Sequence, residues 1–389
     1  MLNRAADLGI KYLQLETELS YNVTLNPKLV EELVAKQKKL IEQYHDKFGI
    51  RLALRVTVAD IRNLKSITYE EAWNKMLEAF EASATAGADL LSIESIGGKE
   101  VHDHALIRND IEGVVFSLGV LAVRDMVKLW REIATIAKKH GSLPAGDTAC
   151  GFANTAMKLA GGRTSRLIPH VLAAVVRAMS AARSLVAYEE GATGPGKDCG
   201  YENVIVKAVT GLPMAMEGKT SASAHSSLVG NIAAAVCDLW SNEQVENLKL
   251  FGGTTPQVFL EMLYYDTELM NTALKKGKEK ELRDLLVESD KYRDPQAYVL
   301  APDVAWQIAL TIAEHREKRY LRTVEAGITA ARLISSEEKL WKDPAETRQL
   351  KRILQELEKL PKDEDDIIDK AVAKYRDKIP AFKPERYSL

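Results

Sequence analysis

The chain has 389 residues, of which 46% are hydrophobic and 28% are charged, and its formal net charge is −2. This composition is typical of a globular protein with room for one barrel-sized domain and an appendage. A charge so close to zero argues against nucleic acid as a partner, because phosphate binding requires a basic surface. No apolar run reaches the roughly 20 residues that span a bilayer, and the first residues lack the layout of a signal peptide, so we expect no membrane partner and a cytoplasmic location.

Residues 1–255 alternate short apolar runs with longer amphipathic segments, which is the pattern of a parallel α/β protein. Asn26 followed by proline predicts the start of a helix that runs to Gly49. Thr68 and Glu71 have the spacing of a capping box and predict the start of another helix.

We predict seven parallel strands in this region: Tyr12–Glu16, Leu52–Thr57, Asp89–Glu94, Leu143–Asp147, Leu185–Glu189, Met214–Glu217 and Val245–Phe251. A closed barrel needs eight. Residues 1–8, followed by Gly9, resemble the last turns of a helix with its C-terminal glycine, so a strand that should precede it would be missing. The predicted fold is therefore a TIM-type (β/α)8 barrel that lacks its first strand in this chain.

Residues 256–389 show no strand pattern and are predicted to form a helical C-terminal extension packed on the barrel. Residues 279–294 and 335–377 are charge-rich helical sequence, interrupted by Pro344 and Pro361. We expect this region to be a solvated cap, with a role in dimerisation or partner docking as the alternative.

Three residues that could bind a metal lie in polar loops after predicted strands, where the active sites of barrels are found. Glu94 ends a strand, and Cys150 and Cys199 lie beside glycines, which let the backbone approach a bound group. Three cysteines do not suggest a disulfide framework, so we expect reduced thiols. Taken singly, each of these residues has a simpler explanation, since a lone cysteine is usually a small core residue. Cys237, among alanines, is interpreted in that way.

Four segments closely resemble the zinc-bearing B subunit of methanol:corrinoid methyltransferases: Gly146–Ala156, Gly194–Asn203, Glu217–His225 and Cys237–Glu243. The resemblance extends from about residue 12 to at least residue 275. The zinc ligands of that family are one glutamate and two cysteines 49 residues apart. Here 199 − 150 = 49, and Glu94 stands at the matching strand end. The resemblance thus implies that Glu94, Cys150 and Cys199 bind a catalytic zinc ion.

The resemblance also implies an activity, the transfer of the methyl group of methanol to the Co(I) of cobalamin on a partner corrinoid protein. None of the seven histidines follows an aspartate by two positions, so the Asp-x-His-x-x-Gly pattern of a base-off cobalamin domain is absent. The corrinoid must therefore come from the partner, and we expect a homodimer within a larger complex. The alternatives are a related corrinoid methyltransferase for another methyl donor and a non-catalytic zinc-binding scaffold.

Two thiolates and one carboxylate would give a zinc site a formal charge of 2 − 3 = −1, so we expect a moderate Lewis acid that leaves methanol largely protonated. A nearby acid must then supply or relay a proton. Asp147, Glu190 and Glu202 are the candidates, and the sequence does not choose among them. His225 is a further candidate for the pocket.

Two other patterns are set aside. Residues 191–197 imitate a phosphate-binding loop, but Asp198 stands where a Ser or Thr should bind magnesium, and Pro195 removes a backbone donor. His102 and His104 follow Glu94 closely, and we expect them in a loop that faces solvent or lines the mouth of the barrel.

Overall fold

The structure is a computed structural model that describes residues 1–161, 166–198, 200–219, 222, 228–236, 239–241 and 249–389. The sequence predictions for Cys199, His225 and Cys237, and for residues 245–248 of the last predicted strand, lie outside these residues.

Seven parallel strands form two sheets in the described part of the chain. The first sheet has the order β1 (Tyr12–Glu18), β2 (Arg51–Val58), β3 (Leu90–Ile93) and β4 (Leu143–Asp147). The second has the order β5 (Gly196–Asp198), β6 (Met214–Glu217) and β7 (Leu239–Ser241). A short antiparallel pair follows, formed by β8 (Lys249–Leu250) and β9 (Gly253–Thr254). The predicted parallel α/β class is confirmed.

Helices connect these strands, as parallel pairing requires. Up to residue 236 they are α1 (Leu2–Asp7), α2 (Tyr21–Thr24), α3 (Pro27–Phe48), α4 (Tyr69–Thr85), α5 (Lys99–Ile107), α6 (Ile111–Phe116), α7 (Ala122–His140), α8 (Thr155–Ala160), α9 (His170–Glu189), α10 (Asn203–Thr210) and α11 (Gly230–Val236). Two π-helical turns precede α7 and α8 and span Ser117–Leu121 and Cys150–Asn154.

The predicted helix boundaries are confirmed by their caps. The Asn26 side chain accepts a hydrogen bond from the backbone of α3, which ends at Gly49 in the left-handed conformation with φ 67°. Both hydrogen bonds of the Thr68–Glu71 capping box are present at the start of α4. Each of these signals is local, because the cap and its backbone partner lie within four residues of each other.

One predicted strand is wrong. Residues 185–189 are the last turns of α9, a helix buried along almost its whole length. A short apolar run fits a buried helix as well as a buried strand, so periodicity cannot separate the two. The sequence shows no apolar run of the length that spans a bilayer, but α9 has the length and hydropathy of a membrane-spanning helix. Of its most apolar 18-residue stretch, 94% is buried inside the protein, as in the core helix of a globular protein.

Residues 255–389 are helical, and no strand occurs among residues 256–389, as predicted. The helices are α12 (Thr255–Lys275), α13 (Glu279–Asp290), α14 (Pro295–Tyr298), α15 (Pro302–Glu314), α16 (Arg319–Ser336), α17 (Pro344–Glu358) and α18 (Glu364–Tyr375), followed by a 3-10 turn at Pro384–Tyr387.

Helix α16 packs on α9, and buried residues of both helices belong to one hydrophobic core. Arg322 of α16 is fully buried at this contact and pairs with Glu189 at the end of α9. Its guanidinium also donates to the carbonyl oxygen of Ala182 at 2.9 Å. The helical region is therefore joined to the α/β region by a buried charge as well as by apolar contacts.

We predict that Arg322→Met lowers the free energy of unfolding by about 2 kcal/mol. The substitution removes the hydrogen bonds of the buried guanidinium to the carbonyl oxygens of Ala182 and Arg316, while Glu189 keeps its ion pair with Arg319. The matched control is Arg332→Met on the same helix, whose ion pair with Glu358 is largely exposed and whose loss should cost less than about 1 kcal/mol. Urea unfolding of both variants measures the difference. Equal losses would show that the buried pair does not join the two regions.

Candidate functional site

The carboxyl ends of β3 and β4 bring two of the three predicted metal ligands to one edge of the sheet. Ile93, the last residue of β3, lies opposite Asp147, the last residue of β4. Glu94 follows β3 directly and is half-buried, and Cys150 comes three residues after β4. The two loops contact each other, since Lys99 of α5 donates to the carbonyl oxygen of Gly151 at 2.9 Å.

Cys150 begins a π-helical turn and is half-buried. The hydroxyl of Thr148 donates to its sulfur at 2.9 Å. The sulfur is also disulfide-bonded, so the expectation of reduced thiols is wrong for this residue. A disulfide and a thiolate pair on one metal ion both require two cysteine sulfurs close together.

The loop of the third predicted ligand packs against the Cys150 turn. Cys199 itself lies outside the described residues, but the next residue, Gly200, is described. A Cβ atom added to Gly200 would lie 3.0 Å from the Cβ of Ala153 and 3.5 Å from the carbonyl oxygen of Ala149. Only a glycine lets the backbone approach this closely.

The donor types at this edge suit zinc, which binds thiolates and carboxylates in tetrahedral sites. Within the described ranges no three His, Cys, Asp or Glu side chains form a cluster that could hold a metal ion. Cys199, the third member of the predicted set, is not among these residues. With the disulfide reduced, the Glu94 carboxylate, the Cys150 sulfur and the neighbouring loop would fit a zinc ion with two sulfur ligands and one oxygen ligand.

A buried lysine lies beside Glu94. The ammonium group of Lys197 in β5 is 3.8 Å from Glu94 Oε1 and 3.4 Å from Glu16 Oε1, and it also pairs with Glu18. Burial raises the pKa of Glu16, but Lys197, Arg55 and the hydroxyl of Thr57 outweigh it and hold this pKa below its usual range. One cation thus faces carboxylates from β1 and from the end of β3.

Asp147 holds the two ligand loops together. It is fully buried and accepts from the indole of Trp130 at 2.9 Å, from the Ser95 amide at 3.3 Å and from Arg183 at 3.2 Å. Arg183 also donates to the carbonyl oxygens of Ser95 and Thr148. Burial raises the pKa of Asp147, and Arg183 opposes that rise. This placement argues against Asp147 as the proton donor and assigns it a structural role.

Glu202 is the proton-donor candidate that the structure places best. It is fully buried, and its Oε1 accepts from the backbone amide of Ala149 at 2.6 Å and from the hydroxyl of Ser184 at 3.0 Å. Its Oε2 has no hydrogen-bond partner among the described residues and lies 2.5 Å from where a Cβ of Gly200 would be. A free carboxyl oxygen therefore lies between the residues next to Cys150 and Cys199.

Glu190 lies away from the predicted ligand loops. It caps the end of α9, in the segment that enters β5, and forms ion pairs with Arg131 at 2.7 Å and Arg319 at 2.8 Å. Burial raises the pKa of Glu190, but its hydrogen bonds to these arginines lower it overall. Thr193, three residues later, donates its backbone amide to the carbonyl oxygen of Pro144 near the start of β4. Glu190 therefore lies toward the amino ends of the strands, opposite the end that carries Glu94 and Cys150. This position argues against the prediction that Glu190 relays a proton.

The histidines that follow Glu94 are in a helix, not in a loop as predicted. His102 is buried in α5, with its ring 4.9 Å from that of Phe152 in the Cys150 turn. Burial lowers the pKa of His102, so the ring is a neutral packing element. His104 is half-buried on the same helix.

Sequence reasoning missed a buried ion triad behind the Glu94 loop. Arg62 pairs with Asp60 and with Asp125 of α7, and all three side chains are buried. Asp60 also accepts from the backbone amide of Ile96 at 3.0 Å. Asp60 lies just after the end of β2, as Glu94 lies after β3, and this shared position was the available signal.

A family model described as the methanol-cobalamin methyltransferase B subunit, MtaB, matches residues 1–388. The chain belongs to this family. The methanol–corrinoid protein co-methyltransferase of Methanosarcina barkeri (strain Fusaro / DSM 804) is 48% identical over 393 residues, which cover 100% of this chain and 85% of that protein. The crystal structure of the methanol:cobalamin methyltransferase complex MtaBC from Methanosarcina barkeri matches with a TM-score of 0.97 and 47% identity, covering 100% of this chain and 86% of that one.

The family named from the sequence is therefore confirmed. A TM-score of 0.97 over the whole chain means that this B-subunit fold includes the helical region after residue 255. The edge that carries Glu94 and Cys150 belongs to the same fold.

Asp147→Asn should lower the free energy of unfolding by about 3 kcal/mol, because the amide keeps the shape but leaves Arg183 buried without a counter-charge. Asp343→Asn is the matched control: Asp343 also pairs with an arginine, but the pair is partly exposed, and asparagine caps a helix equally well. The control should lose less than about 1 kcal/mol. Denaturant melts of both proteins provide the comparison, and a neutral Asp147→Asn would contradict the structural role.

Proposed function

We propose that this chain is a zinc-dependent methyltransferase that transfers the methyl group of methanol to the Co(I) corrinoid of a partner protein. Family membership over residues 1–388 supports the reaction. The observation that carries the zinc site is the meeting of the Glu94 loop and the Cys150 turn at one sheet edge, with Gly200 packed against the same turn.

Glu94, Cys150 and Cys199 would hold the zinc ion. Bound there, zinc would supply a Lewis acid for the hydroxyl oxygen of an alcohol. The sulfurs must be thiolates to bind it, so the disulfide at Cys150 has to be reduced first. That requirement fits our proposal of a cytoplasmic location, where thiols stay reduced.

The reaction consumes one proton for each methyl group. Co(I) attacks the methyl carbon, the carbon–oxygen bond breaks, and the departing oxygen takes up a proton and leaves as water. Glu202 is proposed as the group that supplies it, because its Oε2, which has no partner among the described residues, lies between the two cysteine loops. The proton would then be replaced from solvent.

The partner's corrinoid would approach the carboxyl ends of the strands, where the ligand loops lie. We propose that residues 1–255 form a (β/α)8-type barrel that carries this site and that residues 256–389 pack on it. The two parallel sheets support a barrel. Because side chains fill the interior of such a barrel, a corrin ring could reach the site only from the mouth. A homodimer within the larger complex is also proposed.

Substitution of the ligands one at a time tests the zinc site. Cys150→Ala and Cys199→Ala should lose zinc, since each thiolate is one of three ligands, whereas Glu94→Gln should retain part of the zinc and lose most activity. Cys237→Ala is the control and should keep both. Metal analysis and the spectral change from cob(I)alamin to methylcobalamin with methanol are the two measurements.

Zinc retained by Cys199→Ala and lost by Cys237→Ala would refute the assignment of the cysteines. Wild-type protein that binds zinc and the partner but never methylates cobalamin would identify a zinc-binding scaffold instead. Methylation by methoxylated aromatics or methylthiols, but not by methanol, would identify a sister enzyme with another methyl donor.

Glu202→Gln should lower the rate of methyl transfer about 100-fold or more, because general acids contribute about 10² to 10⁴ in rate. Zinc content should remain near one per chain. Glu346→Gln is the control, since Glu346 is another buried glutamate that accepts from backbone amides, at the start of α9. It should keep wild-type turnover per folded molecule. Normal turnover in Glu202→Gln would remove Glu202 from the mechanism.

A further inference from the structure

The loop between Glu94 and α5, residues 94–98, is enclosed by buried groups and has little space. A Cβ atom at Gly98 would lie 2.8 Å from the Leu121 side chain and 2.9 Å from the carbonyl oxygen of Ser117, and a Cβ at Gly97 would collide with Asp125. Gly98 also has φ 83°, which favours glycine. The backbone of this loop is therefore set by its neighbours.

One of these neighbours comes from the far end of the chain. The hydroxyl of Tyr387 accepts from the Gly98 amide at 2.8 Å and donates to Glu100 Oε1 at 2.7 Å. The Tyr387 side chain is buried. Burial raises the pKa of Tyr387 well above its usual value, and Glu100 adds to the rise. The hydroxyl is thus protonated at neutral pH and can make both hydrogen bonds at once.

Tyr387 is itself held in place by a strap, which we define as residues 384–388. Arg124 of α7 donates to the carbonyl oxygen of Tyr387 at 3.4 Å and to that of Ser388 at 3.1 Å. Lys128, one turn further along α7, donates to the carbonyl oxygen of Arg386 at 3.3 Å. The strap is therefore bound to α7, and Gly98 packs against the π-helical turn that precedes α7.

We infer that Tyr387 is a positioning residue for Glu94: its hydroxyl fixes the Gly98 amide and thereby the direction in which the Glu94 loop presents its carboxylate. This inference rests on the proposed zinc site. Gly98 follows Glu94 by four residues, and Ile96 between them is held by Asp60. The middle and the C-terminal end of the short loop are thus tied to buried side chains.

The expected effect follows from the worth of one hydrogen bond. Without the hydroxyl, the buried amide of Gly98 and the Glu100 carboxylate each lose a partner. Loop conformations in which Glu94 does not face the proposed zinc site then become more populated. A loss of about five- to tenfold in zinc affinity corresponds to one such bond.

Tyr387→Phe tests the inference, because it keeps the ring and removes only the hydroxyl. Tyr375→Phe is the matched control: Tyr375 is also buried and donates to a carboxylate, Asp110, at 2.6 Å, but it does not contact residues 94–98. Both variants are compared with wild type in zinc affinity, by competition with a chelator under reducing conditions. Amide hydrogen exchange of residues 94–100 is measured in the zinc-free proteins.

We expect Tyr387→Phe to bind zinc about five- to tenfold more weakly and to exchange faster at residues 94–98, while Tyr375→Phe matches wild type in both. Unchanged exchange and affinity in Tyr387→Phe would overturn the inference, as would faster exchange with unchanged affinity. An equal loss of affinity in both variants would also overturn it, since the effect would then be general destabilisation. Wild-type protein without bound zinc would refute the proposed function, and the exchange comparison alone would then decide whether the strap holds the loop.

Discussion

A single buried guanidinium sets the distance between the two ligand loops. Arg183 of α9 pairs with Asp147 at the end of β4 and donates to Ser95, the residue after Glu94, and to Thr148. Arginine keeps its charge at any accessible pH, so Arg183 does not lose this contact by deprotonation. Burying such a charge is favourable only if good geometry and further hydrogen bonds compensate for its lost hydration. We call these contacts of Arg183 with Asp147, Ser95 and Thr148 the clasp. The two loops can move apart only if the clasp breaks, so the distance between them is set without a bound metal.

Glu94, the proposed metal ligand, faces a cation that also pairs with two other carboxylates. Lys197 lies 3.8 Å from Glu94 and also pairs with Glu16 and Glu18, and its distance to Glu94 is the longest of the three. An ammonium group shared among several carboxylates binds each of them weakly. The pairing between Lys197 and Glu94 is thus weaker than that of an ammonium group held by one carboxylate alone.

The caps and most strands could be predicted because their signals lie within a few residues of one another, as at Thr68 and Glu71. The mistaken strand at residues 185–189 had a consequence for the site, since it placed Glu190 at the carboxyl end of a strand. The true strand, β5, consists of Gly-Lys-Asp, whose low β propensity leaves no pattern to detect. The contact between Tyr387 and Gly98 joins residues 289 positions apart and has no local signature at all.

The strands end near residue 255, but residues after this point also hold the candidate site in place. Arg322 of α16 donates to the carbonyl oxygen of Ala182, which is next to Arg183 in α9. A C-terminal helix therefore contacts the turn of α9 that carries Arg183. Since Arg183 reaches both ligand loops, a shift of α9 would move both together. The boundary visible in the sequence therefore marks a change of secondary structure, whereas the energetic unit that fixes Glu94 and Cys150 includes helices from both sides of it.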